Sequence, residues 1–463
     1  MIGIILVILM FINRKEELSF LEKLYKSNKK EVLILYGRRR VGKTELIKQF
    51  IKNINSENVI YFLADKSGLK TNAERFYEKA AKKFNLPKVK VDDFRDAFNL
   101  LKIIPNNRIV VVIDEFSYLL EDKNTSAIFQ HIIDEILDDR FFIILCGSLV
   151  GLMESLMSYK NPLYGRRTAQ LKLSPLNFLH VREYFKNTDI ETVVKIYSVT
   201  GGIPMYFKLF KGEDFEKELN EVVFSKTSIL YEEVEFILRE EVGDVHRYYL
   251  ILEALAKGYN RVSEISSVTG VEAKDLPKYL RVLMSLDLVE REIPITEGLK
   301  SKKGRYKIKD NFFRFWFRFV YPNKSEIEIG TYEMDYLSFN KYVGEVFEYI
   351  AKEFLIELNK NDNLPFKFSK IGRWWHKGEE VDLITLNENE RKALFVEVKW
   401  KELSVKEVYG IFKDLERKSE LVGLKEYDKY YCVFCKGIKG KIELDVNYLV
   451  FDLESLEQYS VSE

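Results

Sequence analysis

Eight residues, 37-GRRRVGKT-44, have the types and spacing of a phosphate cradle. Gly37 and Gly42 would let the backbone N–H groups across Arg38, Arg39, Arg40 and Val41 wrap an oxyanion. Lys43 would reach β- and γ-phosphates, and the Thr44 hydroxyl would ligate Mg²⁺. Further along, the apolar run 109-IVVVIDEF-116 contains Asp114 and Glu115. A carboxylate at such a strand end would hold Mg²⁺ beside the cradle, and Glu115 would polarise an attacking water. The run 141-FFIILCGS-148 ends at Ser148, which would sense a γ-phosphate or cap the next helix. In 161-NPLYGRRTAQLKL-173, Arg166 and Arg167 would neutralise transition-state charge, in cis or from a neighbouring subunit, or pair with surface carboxylates.

A second constellation lies near the C-terminal end, in 378-GEEVDLITLNENERKALFVEVKW-400. Folded about Asn389–Glu390, this hairpin places Asp382 opposite Glu397. Alternation sets Glu397 and Lys399 on one face, with Val396 and Val398 on the other. Opposed carboxylates repel unless a divalent cation lies between them. Lys399 would then orient a water or stabilise a pentavalent phosphate. Upstream, the helix 340–358 has an apolar stripe of Val343, Val346, Phe347, Ile350, Phe354 and Leu358, with Glu348 flanking it. His376, in GRWWHKGEE, is an outer partner of this site or a structural histidine.

These groups need positioning elements. The continuous apolar run 31-EVLILY-36 reads as a buried parallel strand, and ELIKQFI follows the glycine loop as a helix. Residues 247–258, 261–270 and 272–289 read as three helices, the last with Leu276, Leu280, Leu283, Leu286 and Leu288 on its apolar face. With the hairpin 289–309 they resemble a helix-turn-helix with a wing. Residues 257–309 hold 12 basic and 7 acidic residues, and Lys300, Lys302, Lys303, Arg305, Lys307 and Lys309 cluster in the hairpin. That is a plausible DNA phosphate footprint, the alternative being an ordinary solvated hairpin. The aromatic-dense 310-DNFFRFWFRFVYPN-323 reads as a buried helix joining domains, with base stacking as the alternative.

Composition bounds these readings. With 463 residues the chain holds roughly two to four domains. Lys plus Arg is 73 and Asp plus Glu is 72, so the chain is no polycation and nucleic-acid contact needs a local patch. Three cysteines exclude a disulfide framework and fit a cytoplasmic setting; Cys432 and Cys435 lack the further ligands of a zinc site. The apolar start MIGIILVILMFI is shorter than a membrane span. We therefore expect no membrane partner, and we read residues 1–9 as an extension ahead of an initiator at Met10, the alternative being a membrane-surface anchor.

Taken in order, FINRKEEL, GRRRVGKT, VVVIDEF, ILCGS, PLYGRRT and TGGIPMYF resemble the archaeal ATPase family of the AAA+/STAND group. That resemblance implies an α/β fold, with a P-loop parallel-sheet ATPase core over residues 10–175 and a helical lid over 176–238. It places Gly202 and Pro204 near the adenine and implies ATP, Mg²⁺ and a possible homo-oligomer. A winged helix is expected over 239–310, a linker over 311–338 and a mixed α/β domain over 339–463. The helix glutamate, aspartate and E-x-K of the last region resemble the PD-(D/E)XK nucleases, with Val381 in place of the family's leading proline. By that resemblance Glu348, Asp382 and Glu397 bind a second Mg²⁺ and Lys399 assists attack on a phosphodiester. The segments DNFFRFWFRFVYPN, GEVFE, EVDLI and EVKW also resemble a conserved uncharacterised domain that follows many archaeal ATPases. The expected function is an ATPase coupled to DNA binding, with either metal-dependent DNA cleavage or a silent nuclease fold.

Overall fold

The computed structural model describes residues 12–105, 108–298 and 300–459, so the extension 1–9 and Met10 lie outside the described residues. The chain divides into two compact units, Met1–Pro175 and Leu176–Glu463. Among the described residues no helix is long and apolar enough to cross a membrane.

The first unit is built on strands β1 (Glu31–Tyr36), β2 (Val59–Leu63), β3 (Ile109–Asp114), β4 (Phe141–Gly147) and β5 (Ala169–Lys172). All pairings are parallel, in the order β2-β3-β4-β1-β5. Strands β1, β3 and β4 are buried along their whole length, which explains why their sequences are continuous apolar runs. Packing on the sheet includes the helices Lys43–Ile54, Leu69–Phe84 and Phe94–Leu101. Phe62, Phe76, Phe94 and Phe98 form a buried ring cluster with neighbouring centroids 5.3–6.5 Å apart. Because β4 lies between β1 and β3, the segments leaving the C-terminal ends of three adjacent strands share one edge. Ligands of open parallel sheets bind at such an edge.

The second unit begins with the helices Phe178–Tyr184, Ile190–Thr200 and Pro204–Phe207. A Cβ on Gly202 would come within 1.6 Å of the Leu176 carbonyl oxygen, so this position admits only glycine. After the helices Phe215–Val222 and Glu233–Glu241 come three more, Val245–Ala256, Val262–Thr269 and Leu276–Ser285. An antiparallel hairpin of β6 (Val289–Glu292) and β7 (Arg305–Ile308) completes this module. Leu276, Leu280, Leu283, Leu286 and Leu288 are all buried, but the helix ends at Ser285, so only the first three lie on its apolar face and Leu286 and Leu288 are buried in the connection to β6. The aromatic segment is interior: Phe312, Phe313, Phe315 and Trp316 are fully buried, and Trp316 Nε1 donates to the Tyr231 carbonyl at 2.9 Å.

The helix Tyr336–Lys360 precedes a mixed sheet of β8 (Lys370–His376), β9 (Glu379–Asn387), β10 (Lys392–Ser404), β11 (Asp428–Lys439) and β12 (Tyr448–Phe451). β8, β9 and β10 are antiparallel neighbours, whereas β10, β11 and β12 run parallel. The helix Val405–Leu421 makes the crossover that a parallel β10–β11 pair demands. Cys432 and Cys435 are buried on β11, where burial raises both thiols.

Candidate functional site

The glycine loop joins β1 to the helix Lys43–Ile54. Gly37 is pressed on the Leu173 backbone: a Cβ would sit 2.4 Å from its carbonyl oxygen. Lys43 is buried and donates from Nζ to the carbonyls of Gly37 (2.7 Å) and Arg38 (2.9 Å), so its ammonium lies in the curl of the loop. Thr44 Oγ1, in the first turn of the helix Lys43–Ile54, donates to Asp114 Oδ2 at the end of β3 at 3.0 Å. The Tyr61 hydroxyl donates to the same oxygen. Burial and the adjoining Asp114 carboxylate raise this phenol well above its ordinary range. The other oxygen, Asp114 Oδ1, accepts from the Glu115 N–H at 3.0 Å. Arg39 donates to the Tyr118 hydroxyl at 2.9 Å. Tyr61 was not found by sequence reasoning, because a tyrosine alternating along a short strand carries no spacing signal.

Glu115 occupies the left-handed region, φ 53°, a strained backbone for glutamate. Its carboxylate accepts from Ser148 Oγ at 2.5–2.6 Å. The helix after Ser148 has Leu149 at its N-cap and no side-chain cap, so the Ser148 hydroxyl serves Glu115 and not a helix end. Arg166 donates from Nε to Asp134 at 2.8 Å and from NH1 to the Pro162 carbonyl at 2.8 Å. Arg167 donates to Gln170. Gly202 and Pro204 lie in the second unit, Pro204 at the first position of its helix.

In the C-terminal sheet, the β9–β10 register pairs Val396 with Leu383 and, continued one step, sets Glu397 across from Asp382. Asp382 Oδ2 accepts from the Val398 N–H at 2.9 Å. Burial, and then the adjoining Glu397, raise the Asp382 carboxyl. Lys399 donates to Glu397 Oε1 at 2.6 Å, while Lys418, on the crossover helix, lies 3.5 Å from Glu397 Oε2. That second oxygen is enclosed and accepts no hydrogen bond. Arg373 of β8 links Glu348 to this cluster: it donates to Glu348 and to Glu380 at 2.8 Å, and approaches Asp382 to 3.7 Å. Burial raises the Glu348 carboxyl, with Arg373 opposing that rise. Glu348 and Arg373 line one concavity, while Glu397 and Lys399 line another. Among the described residues no three His, Cys, Asp or Glu side chains are gathered as metal ligands. The pair Asp382–Glu397, with one orphan oxygen, fits a cation held by two carboxylates and water, and Glu348 is engaged by Arg373. Arg373 and Lys418 were missed because long basic side chains reach the cluster from other elements. His376 is exposed at the end of β8.

The hairpin charges are engaged within the chain. Lys303 pairs with Glu297, Lys307 with Glu292, and Lys309 with Asp287. Arg305 lies over the Trp375 ring at 4.5 Å, and Lys307 over Tyr349 at 4.1 Å. Among the described residues, exposed basic groups without a carboxylate partner include Lys300 and Lys302 on the hairpin and, on the helix Leu276–Ser285, Lys278, which lies over the Tyr279 ring, and Arg281, which donates to the Pro277 carbonyl at 3.2 Å.

Residues 11–210 match the family described as an ATPase domain predominantly from Archaea. Residues 316–411 match one described as archaeal and bacterial proteins of unknown function. The chain is 44% identical over 453 residues to the uncharacterized protein MJECL04 of Methanocaldococcus jannaschii, covering 96% of this chain and 99% of that protein. It is 65% identical over 46 residues to the uncharacterized ATP-binding protein MJ0423 of the same organism, which spans 10% of this chain and 78% of that protein. Among solved structures, the Aeropyrum pernix ORC2 protein in its ADPNP–ADP complexes aligns with a TM-score of 0.47 at 15% identity, covering 68% of this chain and 95% of that one. A STAND protein with a tetratricopeptide repeat sensor, PH0952 from Pyrococcus horikoshii, aligns with a TM-score of 0.32 at 18% identity, over 76% and 51% of the two chains. With its phosphate-cradle loop set beside Asp114 and its C-terminal domain matched in turn, the chain belongs to the archaeal ATPase family.

Proposed function

We propose that the chain is a Mg²⁺-dependent ATPase whose turnover is coupled to DNA binding. The observation that carries this is the Thr44 hydroxyl set 3.0 Å from Asp114 Oδ2 beside the buried Lys43. A hydroxyl and a carboxylate so placed fit one Mg²⁺, which when bound would neutralise charge on the phosphate oxygens. Lys43 and the loop N–H groups of residues 37–44 hold the phosphates. Tyr61 steadies the carboxylate of Asp114. Glu115, fixed by its backbone and by Ser148, orients the attacking water. Arg166, released from Asp134, would act on transition-state charge, in cis or in a homo-oligomer. ATP binding and hydrolysis by the wild type beside Lys43→Ala tests the reading: the variant should lose both, and equal turnover by the two would refute it.

For DNA, the supporting feature is the exposed set Lys278, Arg281, Lys300 and Lys302 on the winged-helix-like module. Duplex affinity should fall with salt and fall further when these four are changed to Gln. Affinity indifferent to both would remove DNA from the account. Asp382, Glu397 and Lys399 have the composition of a metal-dependent phosphodiesterase centre resembling PD-(D/E)XK nucleases. The opposite reading, a silent nuclease fold in a DNA-binding switch, is favoured by Arg373 and Lys418, which already stand 3.7 and 3.5 Å from these carboxylates. Linear and branched DNA incubated with Mg²⁺ or Mn²⁺ decides between them. Cutting lost in Asp382→Ala and Lys399→Ala establishes the nuclease, and wild type that binds without cutting establishes the switch.

A further inference from the structure

A cleft of about 600 Å³ opens in the second unit, bordered by Arg305 and Lys307 of β7, Arg314 and Arg318 of the aromatic segment, and Arg373 of β8. Four carboxylates, Glu292, Glu345, Glu348 and Glu380, share the lining. Those carboxylates are already engaged at close range. Lys307 holds Glu292 at 2.6 Å, Arg318 holds Glu345 at 2.7 Å, and Arg373 holds both Glu348 and Glu380. Lys257, also on the rim, is held by Glu253 at 2.6 Å.

Two guanidiniums remain undersupplied. Arg314 is 8% exposed, yet its nearest carboxylate oxygen, on Glu345, is 3.8 Å away. It donates one hydrogen bond, to Asn311 at 3.0 Å, and otherwise lies against the rings of Tyr342 and Tyr349. Arg305 stacks on Trp375, and its nearest carboxylate oxygen, on Glu380, is 3.6 Å away. The Nε of each is enclosed without an acceptor. A guanidinium offers five donors, and a buried one that lacks acceptors is costly. Phosphate oxygens match this fork geometry. Cations already lie over the rings of Trp375 and Tyr349, so on that side the cleft presents charge, and not a bare ring face, to a ligand.

We propose that this cleft is a second phosphate site, separate from the glycine loop, in which Arg305 and Arg314 grip a phosphate monoester. The volume suits a mononucleotide, and the same chemistry is presented by the 5′-phosphate of a nucleic-acid strand. The site does not depend on whether Asp382 and Glu397 hold a metal.

The test uses the full chain carrying Lys43→Ala, which disables the glycine loop, and isothermal titration with three probes: AMP, a 5′-phosphorylated hexanucleotide, and the same oligonucleotide without its phosphate. Saturable binding of AMP or of the phosphorylated strand alone supports the site, and which of the two binds tells small molecule from strand end. Adding Arg305→Gln should weaken it about tenfold or more, as for loss of a charge-assisted hydrogen bond. Arg314→Gln should do the same. Because Arg314 is interior and its loss could disturb folding, the half-exposed Arg305 variant, checked by circular dichroism, is the deciding one. No saturable binding by either phosphorylated probe, equal binding of the unphosphorylated strand, or binding indifferent to Arg305→Gln would overturn the proposal.

Discussion

Replacing Ser148 by Ala isolates one hydrogen bond. Ser148 is 1% exposed, and its hydroxyl reaches both Glu115 oxygens at 2.5–2.6 Å, with a single proton to give. A hydrogen bond to a charged acceptor is worth about 1.5–3 kcal/mol. If that bond holds Glu115 toward the attacking water, its loss appears in the chemical step, and kcat falls about ten- to 150-fold. ATP affinity should hold, because Lys43 and Thr44 are untouched. Steady-state phosphate release gives kcat, equilibrium binding of a non-hydrolysable analogue gives Kd, and a thermal melt gives stability. A variant with unchanged kcat and a lowered Tm would refute this, since Ser148 would then serve the fold alone.

Other expectations are as direct. Glu353 is interior, accepting from the Phe178 N–H at 2.8 Å and from the Tyr197 hydroxyl at 3.0 Å, and burial pushes it up to about 7. A carboxyl raised in the folded state binds its proton more tightly there. Its contribution is therefore fully present below its unfolded value near 4.5 and is lost as pH rises through about 7. Urea titrations from pH 4.5 to 8 should show a decline of about 3 kcal/mol that Glu353→Gln removes, and an unchanged slope would contradict it. Gly202→Ala forces a Cβ onto the Leu176 carbonyl and should cost about 3 kcal/mol or more by chemical denaturation. Arg373→Gln strips Glu348 and Glu380 of their shared cation and should cost about 2–3 kcal/mol, part of the penalty being relieved by solvent. Wild-type stability in that variant would show that the bridge is decorative.

The parts legible in the sequence were those with strict periodicity or a fixed motif. The apolar runs 31–36, 109–116 and 141–148 could be placed as strands because burial on both faces confines their charged and hydroxyl side chains, Glu31, Asp114, Glu115 and Ser148, to the ends of the runs. The leucine face from Leu276 to Leu283 and the Asp382–Glu397 opposition follow from helical and pleated repeats, whereas Leu286 and Leu288 lie past the helix end at Ser285. The illegible parts were long-range side-chain choices. Nothing local to Arg373 says that it will bridge Glu348, Glu380 and Asp382, nor that Lys307 will turn inward to Glu292 and Tyr349. Charge counts place such residues on a hairpin but do not say which are spent within the chain. Ser148 had two readings, separated only by the left-handed Glu115 that brings the two side chains together.

The central claim, that the glycine-loop edge of the first unit hydrolyses ATP with Glu115 orienting the water, is tested most directly by Glu115→Gln. The account predicts that the variant binds ATP and Mg²⁺ as the wild type does while single-turnover hydrolysis falls about a hundredfold or more. Hydrolysis at the wild-type rate with ATP bound would contradict it.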